Sequence, residues 1–371
     1  MTIKLGVVAL AGPDNGGTYQ YTLSMLQALQ YTSGLQVTIY GDPQNPDFAR
    51  LGYPVSPFVE SRARQLAALT ARRVHLRLPD PFIAEDVLLS PIYALSLLHT
   101  SKPFAYTLHD LQESYFPQNF PWWQRNWRHQ VYTQLSERAG RVICESQYVK
   151  TDIERLFGVA EQKIAVITAP PLRQVATNQT DDELQSLRVR LQLPDNFLFY
   201  PAQFWPHKNH LRLLEAFHEA ATEIPNLHLV LTGKKRDEYN AVMSTVSKLG
   251  LDRKVHHLGY IEQADLQAIY KLAAALVMPS LFESVSILIY EAFQAGTPVV
   301  ASDILAIPEQ VGDAGLLFDP GSVASIRDAI VQIARDPAAA RELGKKGQER
   351  MSAMTLERYG AQLQDLLNAM R

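Results

Sequence analysis

Short apolar runs rich in Val, Ile, Leu and Phe recur along this chain. Each is followed by a longer stretch whose apolar residues return at helical spacing. The runs predict strands at Lys4–Leu10, Gln36–Tyr40, Val87–Leu89, Phe104–Leu108, Val142–Cys144 and Ile164–Ile167. A second series follows at Phe197–Pro201, His228–Leu231, Lys254–Leu258, Ala275–Met278, Pro298–Ala301 and Leu316–Phe318. Helical segments are predicted at Gly17–Gln30, Trp122–Ala139, Leu211–Ala221, Asp265–Leu272, Ser286–Gln294 and Ser322–Arg335, with a last one from about Leu356 to Met370. Such alternation argues for parallel sheets with crossover helices, an α/β protein. Between the two series, Ala169-Pro-Pro-Leu leads into the polar stretch Thr177-Asn-Gln-Thr-Asp-Asp-Glu-Leu. A linker is expected there, at 173–192, between a domain over 1–172 and a second over 193–354.

Composition narrows the class. At 371 residues the chain exceeds what one core usually supports, so two domains are expected. Hydrophobic residues make up 47% and charged residues 20%, ordinary values for a soluble globular protein. The formal net charge of -3 carries no footprint of a nucleic-acid partner. The single cysteine, Cys144, excludes a disulfide framework, and its setting in Arg141-Val-Ile-Cys-Glu145 predicts a buried thiol. The opening residues read as a first strand and not as a signal peptide, and no apolar run reaches membrane-spanning length, so the cytosol is the expected compartment.

The chemically unusual residues fall just past predicted strand ends, where parallel sheets bind ligands. Pro279 to Glu291 carries two carboxylates: Glu283 in a strand-to-helix loop and Glu291 on the helix that follows. Carboxylates repel a diphosphate but accept well from neutral sugar hydroxyls; two solvated surface glutamates would be the bland alternative. Ala11-Gly-Pro-Asp-Asn-Gly-Gly-Thr18 places Gly16 and Gly17 at a helix start, where backbone can approach a phosphate or a sugar, or simply turn. It is neither the dinucleotide-binding glycine fingerprint nor a Walker loop. His109-Asp110 follows a strand, and Asp110 is the expected orienter of the imidazole, if the histidine is more than a hydrogen-bonded loop residue. In Phe199-Tyr-Pro-Ala-Gln-Phe-Trp-Pro-His-Lys-Asn-His210, Lys208 stands at a helix amino end as a compact charge for phosphate. Leu229-Val-Leu-Thr-Gly-Lys234 and Val255-His-His-Leu-Gly-Tyr260 each end a strand on a glycine. Ser286 and Ile287 offer helix-start amides.

Five elements occur in order: the Gly-Gly loop, His109, Arg141–Asp152, the Lys208 segment and Glu283–Glu291. Together, over essentially the whole chain, they resemble the retaining glycosyltransferases of family 4. That resemblance implies a GT-B fold, two Rossmann-like parallel-sheet domains facing a cleft, with the first as acceptor domain, the second as donor domain, and a C-terminal helix at about 355–371 crossing back to the first. It implies a hexosyltransferase moving a sugar from a nucleotide-diphosphate donor to an acceptor hydroxyl. His109, Lys208 and Glu283 would be catalytic. Gly16, Gly17, Gln203, Lys208, Gly233, Ser286, Ile287 and Glu291 would bind the nucleotide sugar, Glu291 at the ribose and Gly233 near the base. No cofactor or essential metal is implied, and no Asp-x-Asp is present to hold one. The chain departs from the common pattern at Gln203, where many members carry Arg, and at Ser284-Val-Ser-Ile287, which lacks glycine. Arg212, Lys234 and Lys235 are positional candidates for the missing cation. The Gln-Phe-x-Pro-x-Lys form looks like a sub-branch that includes mannosyltransferases, favouring GDP-mannose over a UDP-sugar, for polysaccharide or glycolipid synthesis. A non-hydrolysing nucleotide-sugar 2-epimerase and a catalytically inactive scaffold of the same fold remain open.

Two basic–aromatic stretches complete the picture. Arg62, Arg64, Arg72, Arg73, Arg77 and His75 lie among apolar residues, and Pro121-Trp-Trp-Gln-Arg-Asn-Trp-Arg-His129 gathers three tryptophans. Helix faces with Trp anchored in the core are the plain reading. An interfacial helix meeting anionic membrane, or a groove for a saccharide, lipid-linked or small-molecule acceptor, is the sharper one.

Overall fold

Each predicted strand series forms one parallel sheet. The computed structural model describes residues 2–61, 65, 78–172 and 179–370. It divides into a first unit of residues up to 172 together with those from 354 onward, and a second unit over 173–353.

In the first unit, β1 (Ile3–Val8), β2 (Leu35–Gly41), β3 (Val55–Pro57), β4 (Val87–Ser90), β5 (Phe104–Thr107), β6 (Arg141–Cys144) and β7 (Ile164–Val166) pair in the order β3-β2-β1-β4-β5-β6-β7. All of these pairings are parallel. The central strands are buried on both faces, which is why they read as unbroken apolar runs. Helices α1 (Gly17–Ala28), α2 (Trp122–Arg138) and α3 (Gln147–Phe157) belong to this unit. Strand order reverses between β1 and β4, opening a crevice at their carboxyl ends.

The second unit repeats the plan with β8 (Phe197–Pro201), β9 (His228–Thr232), β10 (Val255–His257), β11 (Ala275–Met278), β12 (Val299–Ser302) and β13 (Gly315–Phe318), ordered β10-β9-β8-β11-β12-β13. Its reversal lies between β8 and β11, which pair in parallel through Leu276 and Phe199. Helices here include α4 (Asp181–Arg190), α5 (His210–Glu223), α6 (Gln263–Leu272), α7 (Ile287–Ala295), α8 (Val323–Arg335) and α9 (Pro337–Ser352). The last helix, α10 (Leu356–Asn368), buries Tyr359, Leu363, Leu366 and Leu367 in the first unit's core beside Met25 and Leu26 of α1.

Three expectations need correction. The linker expected at 173–192 contains α4, because Thr180 and Glu183 form a reciprocal capping box that starts a helix (Glu183 N to Thr180 Oγ1 3.3 Å, Thr180 N to Glu183 Oε2 2.8 Å). Acidic residues open α4 and arginines close it, and Arg190 pairs with Asp265 at 2.7 Å, so α4 is part of the second unit. Strand β3 was absent from the predicted series; three residues ending in proline carry too little pattern. The tryptophans are not all core anchors: Trp127 packs against the core, but Trp122 and Trp123 are 68% and 60% exposed. The arginine-rich stretch with Arg62, Arg64, Arg72, Arg73, Arg77 and His75 lies outside the described residues. Among the described residues no helix is long and apolar enough to cross a membrane.

Candidate functional site

In the second unit, the loops leaving β8 and β11 meet at the strand-order reversal. The Tyr200 hydroxyl donates to the Lys208 carbonyl and hydrogen-bonds Ser280 Oγ, both at 3.0 Å. Asn209 adopts a left-handed conformation (φ 59°), which its short polar side chain tolerates. Its Nδ2 donates to the carbonyls of Pro279 at 2.9 Å and Pro320 at 3.0 Å, and the Leu281 amide donates to the His207 carbonyl at 2.7 Å. These bonds staple the two loops together. Across the staple, Lys208 Nζ contacts Glu283 Oε1 as an ion pair whose side chains are only 18% and 12% exposed. On α7, Glu291 is buried and accepts from the Tyr270 hydroxyl at 3.1 Å. Neither glutamate is therefore a solvated surface carboxylate.

Beside this pair, His210 stacks on Phe204 (centroids 4.6 Å) and lies 4.9 Å from the Tyr200 ring. Burial and the nearby Lys208 charge push its pKa down to about 3, so it stays neutral. Gly233 is fixed by close approach: at φ 130° a Cβ there would lie 2.6 Å from the Ala202 carbonyl oxygen. Gln203 turns Oε1 toward Arg236, whose Nε donates at 2.8 Å while its guanidinium lies 5.1 Å from the Trp205 ring centroid. The cation next to Gln203 is thus Arg236, which the sequence did not single out. Arg212 is engaged with Asn209 and the Pro320 carbonyl, and Lys235 sits over the Tyr239 ring. Tyr260 is 75% exposed and is not part of the core.

The expected amide of Ser286 is not available. It donates to Gln310 Oε1 at 2.9 Å, and Gln310 Nε2 donates back to the Ser286 carbonyl at 2.6 Å. The glutamine side chain closes on the residue that caps α7, a partner from a distant helix that local sequence does not reveal. Ile287 opens α7, so its amide has no carbonyl partner inside the helix.

In the first unit, a cavity of about 850 Å³ opens at the carboxyl ends of the strands, with His109, Asp110, Tyr93 and Arg128 in its wall. Gly16 caps α1 at φ 55°, ψ -122°, a conformation suited to glycine, and Gly17 is the first helical residue. His109 Nδ1 lies 3.1 Å from Glu145 Oε2, its Nε2 lies 2.8 Å from the Pro91 carbonyl, and Tyr21 meets the ring edge-on. Burial opposes a charge on this ring, but the Glu145 hydrogen bond and charge, the Pro91 carbonyl and the Asp110 charge outweigh it and raise the pKa. Asp110 is not the orienter. Its Oδ1 accepts from Arg128 at 3.1 Å and from the Gln112 amide at 3.3 Å, leaving Glu145 to hold the imidazole. Cys144 is buried, as its strand setting predicts. Among the described residues no cluster of three or more His, Cys, Asp or Glu is placed to hold a metal ion.

Residues 15–169 match Glycosyltransferase Family 4, and residues 182–350 match Glycosyl transferases group 1. The chain is built of these two glycosyltransferase domains. It is 27% identical over 263 residues to the O-antigen chain mannosyltransferase B of Escherichia coli, covering 68% of this chain and 69% of that one. Similarity to the O-antigen chain mannosyltransferase RfbU of Salmonella typhimurium extends over 337 residues at 24% identity, 88% of this chain and 90% of the relative. The fold matches the Anabaena HepE structure in complex with UDP and glucose, with a TM-score of 0.77 at 20% identity over 99% of this chain and all of that one. The architecture, two Rossmann-like parallel-sheet α/β units, is that of GT-B glycosyltransferases.

Proposed function

We propose that this protein is a retaining hexosyltransferase that moves a sugar from a nucleotide-diphosphate donor to an acceptor hydroxyl in polysaccharide or glycolipid synthesis. The observation that carries the reading is the Lys208–Glu283 pair at the β8–β11 reversal, with Glu291 behind it on α7. Breaking a sugar–phosphate bond leaves negative charge on the departing diphosphate. Lys208 supplies a preorganised cation for it, aided by the α7 amino end at Ile287. Glu283, freed from Lys208 by the diphosphate, accepts from sugar hydroxyls, and Glu291 from the ribose. Gln203 with Arg236, and Gly233, complete the donor contacts of the second unit. The diphosphate's charge is assigned to these groups and not to a metal.

Mannosyl transfer from GDP-mannose is the favoured donor chemistry, supported by the two mannosyltransferase relatives and the Gln203-Phe-x-Pro-x-Lys208 form. A UDP-sugar stands next, since the HepE structure holds UDP and glucose. The acceptor is a saccharide or a lipid-linked sugar, bound in the first unit. The exposed Trp122 and Trp123 at the start of α2 suit peripheral contact with the inner face of a membrane from the cytoplasm. Calorimetric titration of the purified protein with GDP, UDP and ADP tests the donor class. Selective binding of GDP is expected, UDP alone would shift the donor, and binding of none would defeat the reading.

A further inference from the structure

Among the described residues, the two ring nitrogens of His109 face two acceptors and no donor. Its Nδ1 points to the Glu145 carboxylate and its Nε2 to the Pro91 carbonyl. A neutral imidazole has one N–H and one lone pair, so it satisfies only one of these bonds; an imidazolium satisfies both. The three groups come from neighbouring strand ends in matching register. Thr107 of β5 pairs with Ile143 of β6, and His109 and Glu145 each stand two residues further on. Pro91 follows Ser90 of β4, which pairs with Tyr106 of β5. The clamp is therefore built by the sheet itself.

We infer that Glu145 is a positioning residue which, together with the Pro91 carbonyl, fixes His109 as a doubly donating imidazolium in the cavity wall, where it serves as a fixed charge and not as a proton acceptor. The surroundings agree. Tyr21 from α1 meets the ring edge-on, with its hydroxyl turned to Thr107 Oγ1 at 3.0 Å. Asp110, the other carboxylate beside the ring, is engaged by Arg128 of α2, which also pairs with Glu113. Glu145 is thus the anion that holds the imidazolium. With both ring nitrogens donating, His109 has no lone pair to take the proton of an acceptor hydroxyl, and its part in catalysis is to hold position and charge beside the sugar. This deepens the transferase reading and rests on it, but its first test needs no substrate.

The test is nitrogen-15 NMR of the full chain labelled on histidine, with His109→Gln identifying the His109 signals. In the unsubstituted protein both ring nitrogens are expected to keep protonated shifts from pH 6 to pH 8. In Glu145→Gln one of them should move to the unprotonated range within that interval, while Glu145→Asp, which keeps the charge, should hold both protonated. Turnover of Glu145→Gln should fall several-fold from pH 6 to pH 8, a loss that the unsubstituted protein and Glu145→Asp do not show. A neutral His109 ring at pH 7 in the unsubstituted protein, or a Glu145→Gln titration unchanged from it, would overturn the inference. Either result would leave the donor-binding test of the transferase reading untouched.

Discussion

The ion pair between Lys208 and Glu283 makes a prediction that stability and catalysis answer differently. With side chains 18% and 12% exposed, the pair is mostly desolvated. Removing one partner of a buried pair strands the other charge, at about 3–5 kcal/mol when burial is complete. The residual exposure here lets water recover part of that, so Lys208→Met and Glu283→Gln should each destabilise the second unit by about 2–3 kcal/mol. The double variant strands nothing. Its cost should fall short of the sum of the singles by about 2 kcal/mol, well above the ~0.5 kcal/mol scatter of independent sites. Turnover should not be rescued in the same way. Losing the cation that meets the departing diphosphate should lower kcat by about 100- to 1,000-fold, and the double variant should stay at least as slow. Urea denaturation and steady-state kinetics on the four proteins read both effects. Additive stability costs would refute the pairing, and a Lys208→Met enzyme with undiminished kcat would refute the role of Lys208.

Two further substitutions probe neighbouring residues. Glu291→Gln keeps a hydrogen-bonding partner for Tyr270 but loses the charge-assisted acceptor assigned to the ribose, so nucleotide affinity measured by calorimetry should fall about 10-fold or more; unaltered affinity would remove Glu291 from the site. His210 has its pKa depressed to about 3 in the fold, so the unfolded chain binds its proton first as pH falls below about 6.5, and stability drops with it, by roughly 2 kcal/mol between pH 7 and pH 5. His210→Phe keeps a ring against Phe204 without the titration, so denaturation midpoints should decline less over that interval than in the unsubstituted protein, and an equal decline would contradict the assignment.

Much of this architecture was legible because buried parallel strands announce themselves as apolar runs. The pattern places β8 at Phe197–Pro201 and β11 at Ala275–Met278 to the residue, and the other predicted strands to within two residues. What escaped were features that depend on partners distant in sequence. Helix α4 hid inside a polar stretch that resembles a linker unless Thr180 and Glu183 are read together as a capping box. Asp110 was the obvious neighbour for His109, yet the chain turns it to Arg128, and Glu145 arrives from the adjacent strand. A signal for Glu145 did exist: once β5 and β6 are paired, His109 and Glu145 stand at the same level past their strand ends. No comparable signal marked Gln310, which engages the Ser286 amide from 24 residues away, or Arg236 beside Gln203.

The most direct test of the central claim is transfer itself. The purified protein would be incubated with GDP-mannose and a panel of mannose-bearing and lipid-linked acceptors, and the anomeric configuration of any product read by proton NMR as it forms. A new glycosidic bond with the donor's α configuration, abolished by Lys208→Met, is the predicted result. A product of inverted configuration, or conversion of the donor sugar with no acceptor present, would contradict the account.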